Sequence, residues 1–81
     1  MTKRFLVEIW KHPDQEAASS AIETDDLDDA RAYASERIGD AVREPCDEEW
    51  LERGLRGVEI HFSSDGGEFP PMAVIMQIVS N

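Results

Sequence analysis

Residues 24–42, TDDLDDARAYASERIGDAV, carry the clearest structural signal in this chain. Thr24 or Asp25 is a suitable N-cap, and acids in a first helical turn interact favourably with the helix dipole. Apolar residues recur at spacings of three and four, which places them on one stripe of an α-helix: Leu27, Ala30, Ala34, Ile38 and Ala41. We therefore expect a helix over residues 26–42, with its alanines packed closely on a sheet.

Strands are predicted before this helix. Residues 5–10 alternate two sets of apolar and aromatic side chains, with Phe5, Val7 and Ile9 on one face. Residues 19–23 are a candidate second strand that pairs back on the first as a hairpin. The composition of that segment leaves this assignment open.

Two more strands are predicted after the helix. The first begins at Gly57 and directs Val58, Ile60 and Phe62 to one face. The second covers residues 72–79 and is apolar on both faces, which is typical of a central or doubly covered strand. The Asp65-Gly66 pair between them predicts a tight hairpin turn.

Residues 46–53 resemble a short second helix that has acids in its first turn and Gly54 beyond its end. An ordered loop that carries Trp50 inward is the alternative. The expected fold is α+β: a small antiparallel sheet of three to four strands on one main helix plus a short second helix, in the order β(β)αα′ββ. Residues 1–81 form a single domain.

One helix covers only one face of such a sheet. The other face is expected to carry four apolar residues: Leu6, Trp10, Ile75 and Val79. The Trp50 segment, a second copy of the chain or a different partner must cover them. A homodimer through this face is therefore one of two functional hypotheses.

Charge is the second strong signal, because the chain has a formal net charge of −10. Residues 23–52 hold twelve acids and three bases, so −9 of that charge falls in this span. Such a field disfavours direct binding to nucleic acid or to an anionic membrane and favours a basic protein partner. The single cysteine excludes an internal disulfide and suits a reducing, cytoplasmic setting.

Residue types that carry chemistry occur here without their usual partners. Calcium-loop spacing fails in both registers tested from Asp25 and Asp26, and the pattern there is helical. Cys46 has acidic neighbours that disfavour a thiolate. We therefore interpret it as a buried side chain that fills space in the core. His12 and His61 are interpreted as ordinary polar positions. We expect no enzyme activity, no metal and no cofactor.

The acidic residues are the main candidate site. Asp29, Glu36, Asp40 and Glu44 are expected to project from the helix away from its apolar stripe, and a solvated surface remains the alternative interpretation. The full candidate partner-binding set is Asp25, Asp28, Asp29, Glu36, Asp40, Glu44, Asp47, Glu48, Glu49 and Glu52.

The chain resembles small acidic phage-encoded inhibitors, in particular anti-CRISPR proteins and other nucleic-acid mimics. The similarity is one of size, charge and the segment DDLDDARAYA at residues 25–34, an acidic cap that leads into an alanine-rich helix. It covers the chain loosely and includes no shared motif, so no residue role transfers from it. The resemblance implies a stoichiometric inhibitor that acts in the cytoplasm of a bacterial host and occupies a basic nucleic-acid-binding surface, such as that of a CRISPR effector subunit.

Overall fold

The computed structural model describes residues 3–12, 14–64, 68 and 70–79. The α+β class is confirmed, but the sheet has six strands instead of three to four, and α1 is the only α-helix among the described residues. In chain order the elements are β1 (Phe5–Trp10), β2 (Ser20–Thr24), α1 (Leu27–Ile38), β3 (Ala41–Pro45), β4 (Glu49–Trp50), a 3-10 turn (Leu51–Arg53), β5 (Leu55–Ser63) and β6 (Met72–Ile78).

The strands are antiparallel and lie in the order β2-β1-β6-β5-β3, with β4 paired to the same edge of β5 as β3. The last strand is therefore central, as its two apolar faces predicted, and residues 73–76 are all buried. The candidate strand near residue 20 is real and pairs back on β1. The turn predicted at Asp65-Gly66 lies outside the described residues.

Helix α1 packs across the sheet through its small residues. Ala30 and Ala34 are completely buried, and together with Ile38 they contact the β1 and β6 side chains that face the helix. The predicted stripe is confirmed from Leu27 to Ile38, as is the close approach to the sheet, but Ala41 is not part of the helix. The Asp26 side chain accepts a hydrogen bond from the backbone N–H of Asp28, so Asp26 is the N-cap.

The helix ends at Ile38, four residues before the predicted end at residue 42. Gly39 adopts φ +71° and its N–H bonds to the carbonyl of Ser35, which closes the last turn. Chain reversal at Asp40 then starts β3, and Val42 lies 56% exposed on that strand. Ala41 and Val42 continue the apolar spacing of the helix but lie on an edge strand. Spacing alone could not distinguish the two structures.

The predicted second helix is wrong apart from one turn. Residues 46–48 are irregular, Glu49 and Trp50 pair with β5, and only Leu51–Arg53 turns as a 3-10 helix. Gly54, in the left-handed conformation at φ +67°, ends that turn as its position predicted.

A bulge in β5 between Gly57 and Glu59 changes which face its side chains occupy. Val58 packs with the helix-side core, whereas Ile60 packs on the opposite face. The prediction that Val58 and Ile60 share a face is therefore wrong, because an extra residue breaks the two-residue period. Glu59 and His61 are left facing the helix.

The sheet face opposite α1, here called the second face, has its own apolar cluster. Its buried centre is formed by Leu55, Val74 and Met76, and Trp50 packs against it. Three covers were predicted for this face, and the structure shows one of them, the Trp50 segment, lying on it. No helix among the described residues is long and apolar enough to cross a bilayer.

Candidate functional site

The ten candidate acidic residues are all exposed, but they fall into three groups. Asp25, Asp28 and Asp29 lie at the start of α1. The second group, Glu36 and Asp40, lies at its other end. The third, here called the acidic edge, follows β3, β4 and the 3-10 turn: Glu44, Asp47, Glu48, Glu49 and Glu52.

A continuous row of acids along the helix does not form. Asp29 and Glu36 are helical and exposed, about 10.5 Å apart along the axis at seven residues of separation. Asp40 lies in the turn after α1 and Glu44 lies on β3, so neither extends the row. Glu36 and Asp40 are also not neighbours on one helix face, because the helix ends at Ile38 between them.

Backbone hydrogen bonds hold the acidic edge in place. β3 and β4 pair with successive parts of β5, and the residues between them are also bonded to that strand. The N–H of Cys46 donates to the carbonyl of Val58 at 3.2 Å, and the N–H of Gly57 donates to the carbonyl of Glu48 at 2.7 Å. The chain from Glu44 onward is therefore an ordered sheet margin and not the helix that the sequence predicted.

Most of the candidate acids form no ion pair with a base among the described residues. Of the ten, Asp28 alone lies within ion-pair distance of a base among the described residues, 3.7 Å from Arg31. Arg31 itself turns inward, and Arg53 bonds to Glu8 on the second face at 2.8 Å. Three arginines nevertheless adjoin the acidic edge: Arg43 precedes Glu44 on β3, Arg56 is the cross-strand neighbour of Glu49, and Arg53 interacts electrostatically with Glu52. The acidic edge thus forms no ion pair among the described residues, although bases lie beside it.

Exposed apolar side chains adjoin these acids. Leu51 is 75% exposed between Glu49 and Glu52, and Val42 is 56% exposed two residues before Glu44. Leu51 begins the 3-10 turn and, at this exposure, contributes little to the core. Acids that only solubilise the protein do not require it, whereas a protein-binding surface commonly has apolar anchors with a polar rim.

The structure divides the predicted apolar partner face. Leu6 and Trp10 lie on the second face, where their cross-strand partners in β6 are Met76 and Met72. Ile75 lies on the opposite side, paired with Val7 and completely buried beneath α1, so its assignment to the partner face is wrong. Strand alternation places Met76 where Ile75 was expected.

Val79 follows the end of β6 and is 47% exposed. Its N–H donates to the carbonyl of Gly54 at 2.9 Å, so its backbone is tied to the end of the 3-10 turn. Of the four predicted residues, Leu6 and Trp10 share the apolar cluster, and Val79 contributes exposed surface at the margin.

A partly buried charged cluster, absent from the sequence-based predictions, joins α1 to β5. The Arg31 guanidinium donates to both carboxylate oxygens of Glu59, with Nε 3.1 Å from Oε1 and 3.2 Å from Oε2. His61 Nε2 lies 2.8 Å from Oε2, and the His61 side chain is only 3% exposed. The bulge that turns Glu59 and His61 toward the helix gave no sequence signal.

The electrostatics of this cluster fit a structural role. Hydrogen bonding from Arg31, opposed by burial and aided by His61, lowers the pKa of Glu59 from 4.5 to about 2. The pKa of Arg31 is raised, chiefly by the same hydrogen bond. An ionised Glu59 can only accept, so His61 donates from Nε2. Glu59 is consequently a weak proton acceptor at neutral pH and an anchor for the helix.

The remaining cysteine and histidine also show no arrangement for metal binding among the described residues. Cys46 is buried at 5% exposure against β5. Within the described part of the chain, no group of three or more His, Cys, Asp or Glu side chains is arranged to hold a metal ion. His12 lies in the loop after β1, where its Nδ1 accepts from the N–H of Asp14 at 3.2 Å.

Comparisons with known proteins found no matching family model, no matching curated protein and no matching solved structure.

Proposed function

We propose that this protein is a non-enzymatic binding protein whose acidic edge occupies a basic nucleic-acid-binding surface of a partner, as anti-CRISPR proteins and other nucleic-acid mimics do. The observation that carries the proposal is the acidic edge itself: five exposed carboxylates within residues 44–52, with no base in that span. They stand on a margin fixed by pairing to β5.

Charge complementarity gives such an edge both attraction and selectivity. A protein that binds DNA or RNA presents lysines and arginines to the phosphates, and the same groups attract a fixed array of carboxylates. The exposed Leu51 adds an apolar contact beside Glu52, at one end of the edge. Binding should therefore weaken with salt, although less steeply than for an all-polar interface.

The test is displacement of labelled double-stranded DNA from purified CRISPR effector complexes, followed by fluorescence anisotropy over a range of salt concentrations. The edge variant carries Glu44→Gln, Glu48→Gln, Glu49→Gln and Glu52→Gln. The matched control removes the same number of charges elsewhere, with Glu16→Gln, Asp29→Asn, Glu36→Gln and Asp40→Asn, all at exposed positions.

The wild-type chain and the control variant should displace DNA from at least one complex, and the edge variant should not. Equal loss in both variants would mean that total charge, and not the acidic edge, determines binding. Failure of the wild-type chain to displace DNA from any complex would defeat the inhibitor proposal. A Leu51→Ser variant, with unchanged charge, should weaken displacement if Leu51 is an anchor.

The second hypothesis is a homodimeric structural or regulatory domain. It is supported by the second face, where Leu6 and Trp10 pack against the apolar cluster but are only partly buried. Light scattering over a range of concentrations separates the two hypotheses, since a protein that remains monomeric throughout is not such a dimer.

A further inference from the structure

A groove at the C-terminal end of α1 is lined by two positively charged side chains of this acidic protein. It has a volume of about 490 Å³ and lies between the last turn of α1, the β1–β2 loop and the segment before β6. Ile9 and Ile38, both core residues, form its apolar floor. Lys11 and Arg37 flank it, and we call it the basic groove.

Lys11 and Arg37 are two of the five bases that form no ion pair among the described residues, with Lys3, Arg43 and Arg56, and they are the two that line this groove. Arg4, Arg31 and Arg53 each bond to a carboxylate. Among the described residues, no carboxylate lies within ion-pair distance of Lys11 or Arg37. Lys11 and Arg37 share this one groove, whereas the chain as a whole has a net charge of −10.

The walls of the groove are fixed by specific contacts. The guanidinium of Arg37 lies over the ring of Tyr33, with its central carbon 5.0 Å from the ring centroid. The Tyr33 hydroxyl donates to Ser20 Oγ at 3.1 Å, which leaves the hydroxyl hydrogen of Ser20 to donate elsewhere. Ser20 lines the groove, so that hydrogen is a donor for a bound acceptor.

The loop that presents Lys11 is also organised. Gln15 Oε1 accepts from the backbone N–H groups of Lys11 and His12, both at 2.8 Å, and Gln15 Nε2 donates to Ser19 Oγ at 2.9 Å. Preorganised walls reduce the ordering cost of binding. The groove therefore holds two cations and a hydroxyl donor around an apolar floor before any ligand arrives.

We propose that the basic groove binds a small organic monoanion, a carboxylate with an apolar body. Arg37 and Lys11 contact the carboxylate, Ser20 donates to it, and the hydrocarbon part lies on Ile9 and Ile38. Glu36 also lines the groove, so the two cations and one acid give the lining a formal charge of +1, which matches a monoanion better than a dianion such as hydrogen phosphate. This site is separate from the acidic edge and does not depend on the function proposed for it.

The test is an NMR titration of the full ¹⁵N-labelled chain at neutral pH and physiological salt. The probe is hexanoate, and hexylamine and inorganic phosphate are the comparison compounds. Hexanoate should shift the amide signals of Ser20 and Ile38 saturably, with a Kd of about 1–10 mM for so small a ligand. Hexylamine and phosphate should give no saturable shift at these positions.

Variants locate the site. Arg37→Met should raise the Kd for hexanoate about tenfold or more, because a charge-assisted contact is lost. Arg43→Met removes the same charge from an exposed position on β3 and should leave the Kd within about twofold. Gln15→Ala keeps all charges but loosens the Lys11 loop, and it should weaken binding measurably.

The proposal is overturned if hexanoate produces only linear, non-saturating shifts, or if Arg43→Met weakens binding as much as Arg37→Met. Equal binding of phosphate would also overturn it, because the groove would then recognise charge without an apolar body. The amide spectrum of each variant reports directly on whether that variant is folded.

Discussion

Gly57 in β5 lies directly against the side chain of Cys46. A Cβ placed on Gly57 would come within 2.6 Å of Cys46 Sγ and within 3.0 Å of the Cys46 carbonyl oxygen. Cys46 is 5% exposed, so the sulfur has nowhere to move. This contact explains how the irregular chain between β3 and β4 can approach β5 closely enough to bond to it.

Gly57→Ala should destabilise the fold by about 1–3 kcal/mol, because the added methyl group overpacks the contact with Cys46. Urea unfolding monitored by circular dichroism measures the change. The double variant with Cys46→Ala should recover part of the loss, with a coupling energy of about 0.5 kcal/mol or more between the two sites. Strict additivity would contradict a direct contact between them.

The same contact shows what sequence patterns could and could not predict. The α1 stripe and the central last strand were predictable, because a periodic apolar pattern reflects burial on a known face. The bulge at Gly57 was not, because it arises from how β5 accommodates Cys46 and Glu48 on another part of the chain. That single bulge determined the positions of Glu59 and His61.

The candidate site was predictable to a similar degree. All ten acids are exposed, as charged side chains usually are, but their division into three groups depended on where α1 ends. Gly39 was visible in the sequence as a potential helix terminator, yet the apolar residues after it continued the helical period. The glycine favoured a helix end, whereas the apolar pattern favoured a longer helix. The pairing of β3 with β5 decided between them.

Stability should depend on pH through Glu59. Its pKa is lowered to about 2 in the folded protein from an ordinary value of 4.5, so its contribution is complete above the ordinary value and is lost as pH falls toward 2. Glu59→Gln should cost about 2 kcal/mol at neutral pH, and the difference from wild type should shrink over that acidic range. Urea unfolding at several pH values measures it.

Glu49→Gln is the matched control for this experiment, because Glu49 is exposed and without an ion pair among the described residues. Its difference from wild type should stay small at every pH. A Glu59→Gln difference that stays constant down to the lowest pH would contradict the role assigned to the Arg31–Glu59 contact.

The Asp26 cap should stabilise α1 independently of charge. Asp26→Ala removes the side-chain oxygen that accepts from the N–H of Asp28 at 2.8 Å, and should cost about 0.5–2 kcal/mol. Asp25→Ala removes the same charge from the preceding exposed residue, where α1 gains no cap. Thermal unfolding should therefore separate the two variants, and equal effects would mean that the helix dipole, and not the cap, dominates.

The ion pair between Arg53 and Glu8 should keep the 3-10 turn on the second face. Glu8 lies on that face opposite Val74, and Arg53 reaches it from the turn that follows Trp50. Arg53→Met should cost at most about 1 kcal/mol, since Arg53 is 45% exposed and solvent screens the pair. Its larger effect should be local, an increase in the accessibility of Trp50 to the quencher acrylamide.

Trp50→Ala removes more of the segment that covers the second face than Arg53→Met does. It removes a large side chain packed on Leu55 and its neighbours and should expose part of the apolar cluster, which the dye ANS detects. If the second face is a dimer interface, loss of Trp50 should change the association seen by light scattering. If the Trp50 segment is its permanent cover, the variant should lose stability and bind ANS while the wild-type chain stays monomeric.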